Sequence, residues 1–299
     1  MSPTRLNGMS PGAAFRRKRG PVVTEGKMAK RRLGLIGCGA IGRLLALYVR
    51  DRLSDGCTLA AVSSRTREHA VRLGTELGVP ALSPEEVIAE CDLIVEATSA
   101  MAMPSLVRAA MAAGKEIICL SVGGFVLDDR LLGEVMAGKS PVHVPSGAIA
   151  GLDGVRALRE AGLDSLSLTT VKRPASLGLE DISALPGVQN AEGISLSAEA
   201  RLLFDGSAEE AIRRFPANVN VAVALALAGP GPEKTRMRLI ADPLAEGTRH
   251  YISARAGACA LDITTSPAAL PENPRSSALA MYSVPALIRQ LTRQLKIAS

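Results

Sequence analysis

From Leu33 onward the chain alternates short, continuous apolar runs with longer stretches in which apolar side chains recur every three to four residues. Leu33 to Ile36, Thr58 to Val62, Asp92 to Ala97, Glu116 to Leu120 and Pro141 to Val144 read as strands buried on both faces. Between them lie helical patterns. The first carries Ile41, Leu44, Leu45 and Tyr48 at i, i+3, i+4 and i+7. The next runs from Glu68 to Leu77 and stops at Gly78. Ser83-Pro84-Glu85-Glu86 opens another with a Ser cap, Pro at the first helical position and Glu three residues after the cap. Pro104 to Ala113 ends at Gly114, and a further helix is expected over Asp128 to Ala137. Strands that alternate with helices in this way predict a doubly wound parallel sheet.

The rhythm changes after Pro145. Ser165 to Val171 alternates as a half-buried strand does. A less regular stretch follows through Gly193. Ser207-Ala208-Glu209-Glu210 is a second capping box leading a helix toward Phe215, and Asn218 to Ala228 is a very apolar helix closed by Gly229-Pro230-Gly231-Pro232. Thr235 to Ala241, Arg249 to Arg255 and Ala258 to Ile263 read as strands of an open mixed sheet. Ser276 to Lys296 is helical in pattern, with Pro285 expected to kink or divide it. The fold class is α/β: a Rossmann-type parallel sheet and a second α+β domain with an open mixed sheet. The expected division is a basic leader over residues 1–29, a dinucleotide-binding domain over 30–145, a substrate domain over 146–275, and a final helix over 276–297 that packs back on the first domain.

The turn after the first strand reads Gly37-Cys38-Gly39-Ala40-Ile41-Gly42. Gly-x-Gly-x-x-Gly between strand and helix is a dinucleotide fingerprint. The first glycine permits the turn, the second admits a pyrophosphate, and the third lets helix pack on strand. The helix N-terminus adds free N–H groups and partial positive charge. Ala97 and Ser99 at the end of the third strand, and Ser121 and Gly123 at the end of the fourth, lie where an open α/β sheet takes its ligand. The second strand ends in Ser63-Ser64-Arg65-Thr66-Arg67, without the carboxylate that would hold a ribose 2′-hydroxyl and repel a 2′-phosphate. Ser64, Arg65 and Thr66 are therefore expected to favour NADP, with NAD as a possible second cofactor.

Composition narrows the remaining classes. Aromatic residues make up 2% of the chain and Trp is absent, which argues against stacking platforms for single-stranded nucleic acid. The net charge of +6 comes from the leader: residues 1–32 hold nine basic side chains against Glu25 alone, so the rest is mildly acidic. No apolar run of about 18 residues predicts a membrane helix. The five cysteines, Cys38, Cys57, Cys91, Cys119 and Cys259, show neither metal-ligand spacing nor a disulfide framework, which suits a reducing cytoplasm.

Several segments in order resemble the L-aspartate dehydrogenase family. They are the glycine fingerprint, Ser121-Val122-Gly123-Gly124, Pro145-Ser146-Gly147-Ala148-Ile149-Ala150-Gly151-Leu152-Asp153, Thr170-Val171-Lys172-Arg173-Pro174, Phe215-Pro216-Ala217-Asn218-Val219-Asn220-Val221, Ala241-Asp242-Pro243, Arg249-His250-Tyr251-Ile252 and Asn273-Pro274-Arg275-Ser276-Ser277. The resemblance implies NAD(P)-dependent oxidation of L-aspartate to iminosuccinate, which hydrolyses to oxaloacetate and ammonia, or the reverse reductive amination. A homodimer is expected. It puts the catalytic histidine at His250 and cofactor contacts at Ala148 and Asn220. By pattern alone His250 shares a strand face with Ile252 and Ala254, as a core histidine would. Of the other two histidines, His69 falls in a charged helix and His143 ends a strand. Lys172 is the alternative proton carrier. Lys172, Arg173, Asn218 and Arg275 are candidates for binding substrate carboxylates. No metal is expected. An imine reductase of the dihydrodipicolinate-reductase type, a dehydrogenase of another amino acid, and a non-catalytic NADPH-binding regulator are the competing readings.

Overall fold

A computed structural model describes residues 30–188, 194–215, 220–270 and 273–297; for 273–276 only the backbone is described. The expected leader over 1–29 and the candidate Asn218 lie outside the described residues. Five parallel strands form the first sheet: β1 (Arg31–Ile36), β2 (Cys57–Ser63), β3 (Leu93–Glu96), β4 (Glu116–Cys119) and β5 (Val142–His143), in the order β2-β1-β3-β4-β5. The chain goes out to β2 on one side of β1 and returns to β3 on the other, so the switch point lies beyond the carboxyl ends of β1 and β3.

Helices cover both faces. They are α1 (Ala40–Arg52), α2 (Arg67–Leu77), α3 (Pro84–Glu90), α4 (Met103–Ala112), α5 (Gly124–Leu127) and α6 (Leu131–Ala137). The Ser83 capping box forms as expected, with Ser83 Oγ accepting from the Glu86 N–H and the Glu86 carboxylate accepting from the Ser83 N–H. The helix expected from Asp128 begins instead at Leu131. Asp128 is drawn out of helical use because both its oxygens accept from the Arg108 guanidinium. A separate turn, α5, precedes it.

The chain then forms α7 (Leu152–Glu160), β6 (Ser165–Lys172), β7 (Arg201–Ser207), α8 (Ala208–Arg214), α9 (Asn220–Ala228), β8 (Arg236–Ala241), β9 (Arg249–Ala256) and β10 (Cys259–Thr265). These strands make a mixed sheet of order β10-β9-β6-β8-β7, with β6 and β8 parallel and the other pairs antiparallel. A short pair, β11 (Ala269–Leu270) and β12 (Asn273–Ser277), leads into α10 (Ala278–Thr292). The helical pattern read over 276–297 is thus shorter at both ends, because Ser276 and Ser277 belong to β12 and Ser277 caps the helix. Pro285 lies within α10 without dividing it.

Two apolar layers result. Leu45 and Val49 of α1, Leu73 of α2, and Val284 and Ile288 of α10 pack on one face of the parallel sheet with Leu33, Leu35 and Val95. On the other face Val87, Met103, Val107 and Leu131 form a core that continues through Ala208, Ile212, Val223 and Leu225 to Leu168, Leu239 and Ile252 of the mixed sheet. Helix α9 is buried around most of its circumference, as an apolar helix between layers must be. Among the described residues no helix is long and apolar enough to cross a membrane.

Candidate active site

The glycine loop follows the physical needs of its three positions. Gly37 has φ of +113°, and a Cβ there would lie 2.3 Å from the Ala97 carbonyl oxygen. A Cβ on Gly42 would lie 1.9 Å from the Gly37 oxygen, so only glycine lets α1 pack so close to β1. At Gly39 a Cβ would meet nothing within 4 Å. Gly39 is exposed and caps α1 with no side-chain hydrogen bond, and the first turn, which includes Ala40, Ile41 and Gly42, contains no acid. Open space above uncapped N–H groups fits the pyrophosphate of a dinucleotide. Ser64 is half-buried, Arg65 and Thr66 are exposed, and no carboxylate stands among them.

At the carboxyl ends of β3 and β4 stands a group that sequence reading treated only as part of a strand. Glu96 is fully buried. Its Oε1 accepts from the Thr98 N–H and hydroxyl, both at 2.6 Å, and its Oε2 accepts from the Ser121 N–H at 3.0 Å. It thereby ties the loop containing Ala97 and Ser99 to the loop containing Ser121 and Gly123. The Gly123 N–H in turn donates to Asn220 Oδ1 at 3.2 Å, joining the parallel sheet's loops to the start of α9.

Beyond Asn220 opens a cavity of about 680 Å³, walled in part by Ala148, Lys172, Asn220, Arg249 and His250. His250 is 3% exposed. Cross-strand register sets Thr170 of β6 and Thr265 of β10 on either side of it. Its Nδ1 lies 2.9 Å from Thr170 Oγ1. Thr265 Oγ1 donates to the Ala148 carbonyl at 3.0 Å, which holds Ala148 at the same wall. Burial, and secondarily the Lys172 charge, push the His250 pKa from 6.5 down to about 3. Burial also lowers the Lys172 pKa. Both shifts reflect the cost of holding positive charge in a dry pocket.

Arg173 also borders this cavity; it is exposed, and its Nε donates to the Ala245 carbonyl, anchoring the loop that precedes β9. The remaining candidates lie elsewhere. Arg275 is a residue of β12. His69 is exposed, and His143 is half-buried with Nε2 3.0 Å from Glu116. Among the described residues no three His, Cys, Asp or Glu side chains gather as a metal site. Thr170 and Glu96 escaped the sequence reading. Thr170 stands in a quoted segment, but its role depends on strand register. Glu96 interrupts an otherwise apolar strand, and that interruption is the signal that marks it.

Both parts of the chain match known families. Residues 153–291 match the family described as "Aspartate dehydrogenase, C-terminal", and residues 37–144 match "Homoserine dehydrogenase, NAD binding domain". The chain is 33% identical over 271 residues to an L-aspartate dehydrogenase of Methanothermobacter thermautotrophicus, covering 89% of this chain and 98% of that one. It is 33% identical over 270 residues to L-aspartate dehydrogenase 3 of Bordetella bronchiseptica, covering 89% and 97%. Its fold is similar to the crystal structure of an aspartate dehydrogenase from Thermotoga maritima, with a TM-score of 0.69 and 23% identity, covering 90% of this chain and all of that one.

Proposed function

The chain belongs to the L-aspartate dehydrogenase family, and on that premise we propose that residues 30–145 with the final helix bind NADP in preference to NAD, while residues 146–275 bind and activate the substrate. The activity is NAD(P)-dependent oxidation of L-aspartate. Aspartate loses hydride from Cα and a proton from nitrogen to give iminosuccinate; water then adds and ammonia leaves, forming oxaloacetate. The reverse is reductive amination. A bound pyridine nucleotide supplies the hydride acceptor or donor.

The observation that carries this reading is the buried His250 in a cavity bordered by Asn220, whose amide oxygen is bonded to the β4 loop. Ala148 and Asn220 border the cofactor's reactive end. In the tautomer whose Nδ1–H donates to Thr170 Oγ1, His250 presents Nε2 as a proton acceptor for the ammonium and for the attacking water. Lys172 lies close enough to bias the His250 charge and offers a cation to a substrate carboxylate. A dicarboxylate brings two negative charges into the pocket, which favours imidazolium and restores basicity to His250. Arg275 and Asn218 remain candidates for the second carboxylate.

Steady-state assay of L-aspartate with NADP and NAD tests the cofactor reading. Arg65→Ala should raise the NADPH dissociation constant about tenfold or more, as loss of a charge-assisted contact implies, and leave NADH nearly unchanged. Equal losses would refute a 2′-phosphate contact. His250→Asn should lower kcat by roughly 10²–10⁴ with NADPH affinity retained. Wild-type turnover in that variant would shift the proton-transfer role to Lys172.

A further inference from the structure

A carboxylate is expensive to bury without a cation. Glu96 is fully buried, and the donors that hold its carboxylate are uncharged. Its hydrogen-bond partners are two backbone N–H groups and one hydroxyl. Both oxygens accept from N–H donors, an arrangement suited to a carboxylate rather than a carboxylic acid. The side chain sits at the last position of β3, in register with Cys119 at the end of β4.

The position of this charge is informative. A dinucleotide held at Gly39 must cross the ends of β3 and β4 to reach the cavity of His250. The loops it crosses are those Glu96 ties together, and the Gly123–Asn220 hydrogen bond marks the far end of the path. The nicotinamide ring is cationic when oxidised and neutral when reduced. A fixed negative charge close to its path stabilises the first form and not the second. We propose that Glu96 is a positioning residue that fixes the β3 and β4 loops and whose charge selectively strengthens binding of the oxidised cofactor. The proposal rests on the cofactor placement given above and adds a residue and a redox preference to it.

The test compares dissociation constants of NADP⁺ and NADPH, measured without substrate by calorimetry and by fluorescence. Glu96→Gln keeps the size but removes the charge and turns an NH₂ toward an N–H donor. It should weaken NADP⁺ about tenfold more than NADPH. Glu96→Asp keeps the charge, so its ratio of the two constants should stay near that of the wild type. Should Glu96→Gln not fold, Glu96→Met combined with Thr98→Val removes the charge and one of its donors together, and must shift the ratio in the same direction. Equal weakening of both forms in the charge-free variants would overturn the proposal. Gly39→Val separates this from the underlying reading. If both cofactor forms still bind that variant normally, the placement at the glycine loop is wrong. If both are lost there, yet the ratio is unmoved by removing Glu96, the placement stands and the role of Glu96 falls.

Discussion

Three glycines within a span of six residues serve three unlike purposes. Gly37 needs its backbone conformation, Gly42 needs the absence of a Cβ against the Gly37 carbonyl, and Gly39 needs neither, since its surroundings within the chain are open. Its φ of −72° and ψ of −172° are open to any residue. What Gly39 leaves room for is therefore external. Gly39→Val should melt within a degree or two of the wild type while its NAD(P)H dissociation constant rises about tenfold or more, read by fluorescence titration. Gly42→Ala should instead lose at least about 1–3 kcal/mol of stability, because the clash is with backbone that cannot yield cheaply. Loss of stability in the first variant would mean that Gly39 serves the fold and not the ligand.

Secondary elements were legible wherever local chemistry specified them. The capping boxes at Ser83 and Ser207 form with both reciprocal hydrogen bonds. Among the elements that were not legible, helix α7 and strand β7 were missed for different reasons. Helix α7 has only nine residues, so its stripe of Leu152, Val155 and Leu158 has little length over which to show a helical period. Strand β7 contains Leu202-Leu203-Phe204, and its pairing with β8 shifts register there, which breaks the period-2 alternation that identifies a strand. The last helix was legible in kind but not in extent, since its start is set by pairing of β11 with β12. Ile288 of α10 is fully buried against α1 and the parallel sheet. Ile288→Ala should cost about 2–5 kcal/mol in urea unfolding, the usual range for such a deletion in a core. A cost near zero would show that α10 is not integral to that layer.

At the scale of the whole molecule, the site is a product of register. Thr170 and His250 lie eighty positions apart and meet only because β6 and β9 pair antiparallel in one frame. Ala148 reaches them through Thr265 of a third strand. No local pattern encodes that meeting; family resemblance pointed to His250, while its partner emerged from the fold. Burial in this sheet has a consequence for global stability. The folded His250 pKa is about 3 against 6.5 for a solvent-exposed histidine of the unfolded chain, with burial the larger cause and Lys172 the smaller. Between these values the unfolded chain binds a proton at this residue and the folded chain does not. The folded-state advantage is thus complete above about pH 6.5 and is lost progressively as pH falls toward 3. From pH 7 to pH 5 this single group should remove about 2 kcal/mol of stability from the ligand-free protein. Urea unfolding of wild type and His250→Asn at both pH values isolates the effect, because the other titrating groups are common to both. The wild type should lose more stability than the variant over that interval by about this amount, and an unreactive four-carbon dicarboxylate such as succinate should shrink the difference by supplying negative charge to the pocket. Parallel losses in the two proteins without ligand would mean that His250 is not held neutral by its surroundings.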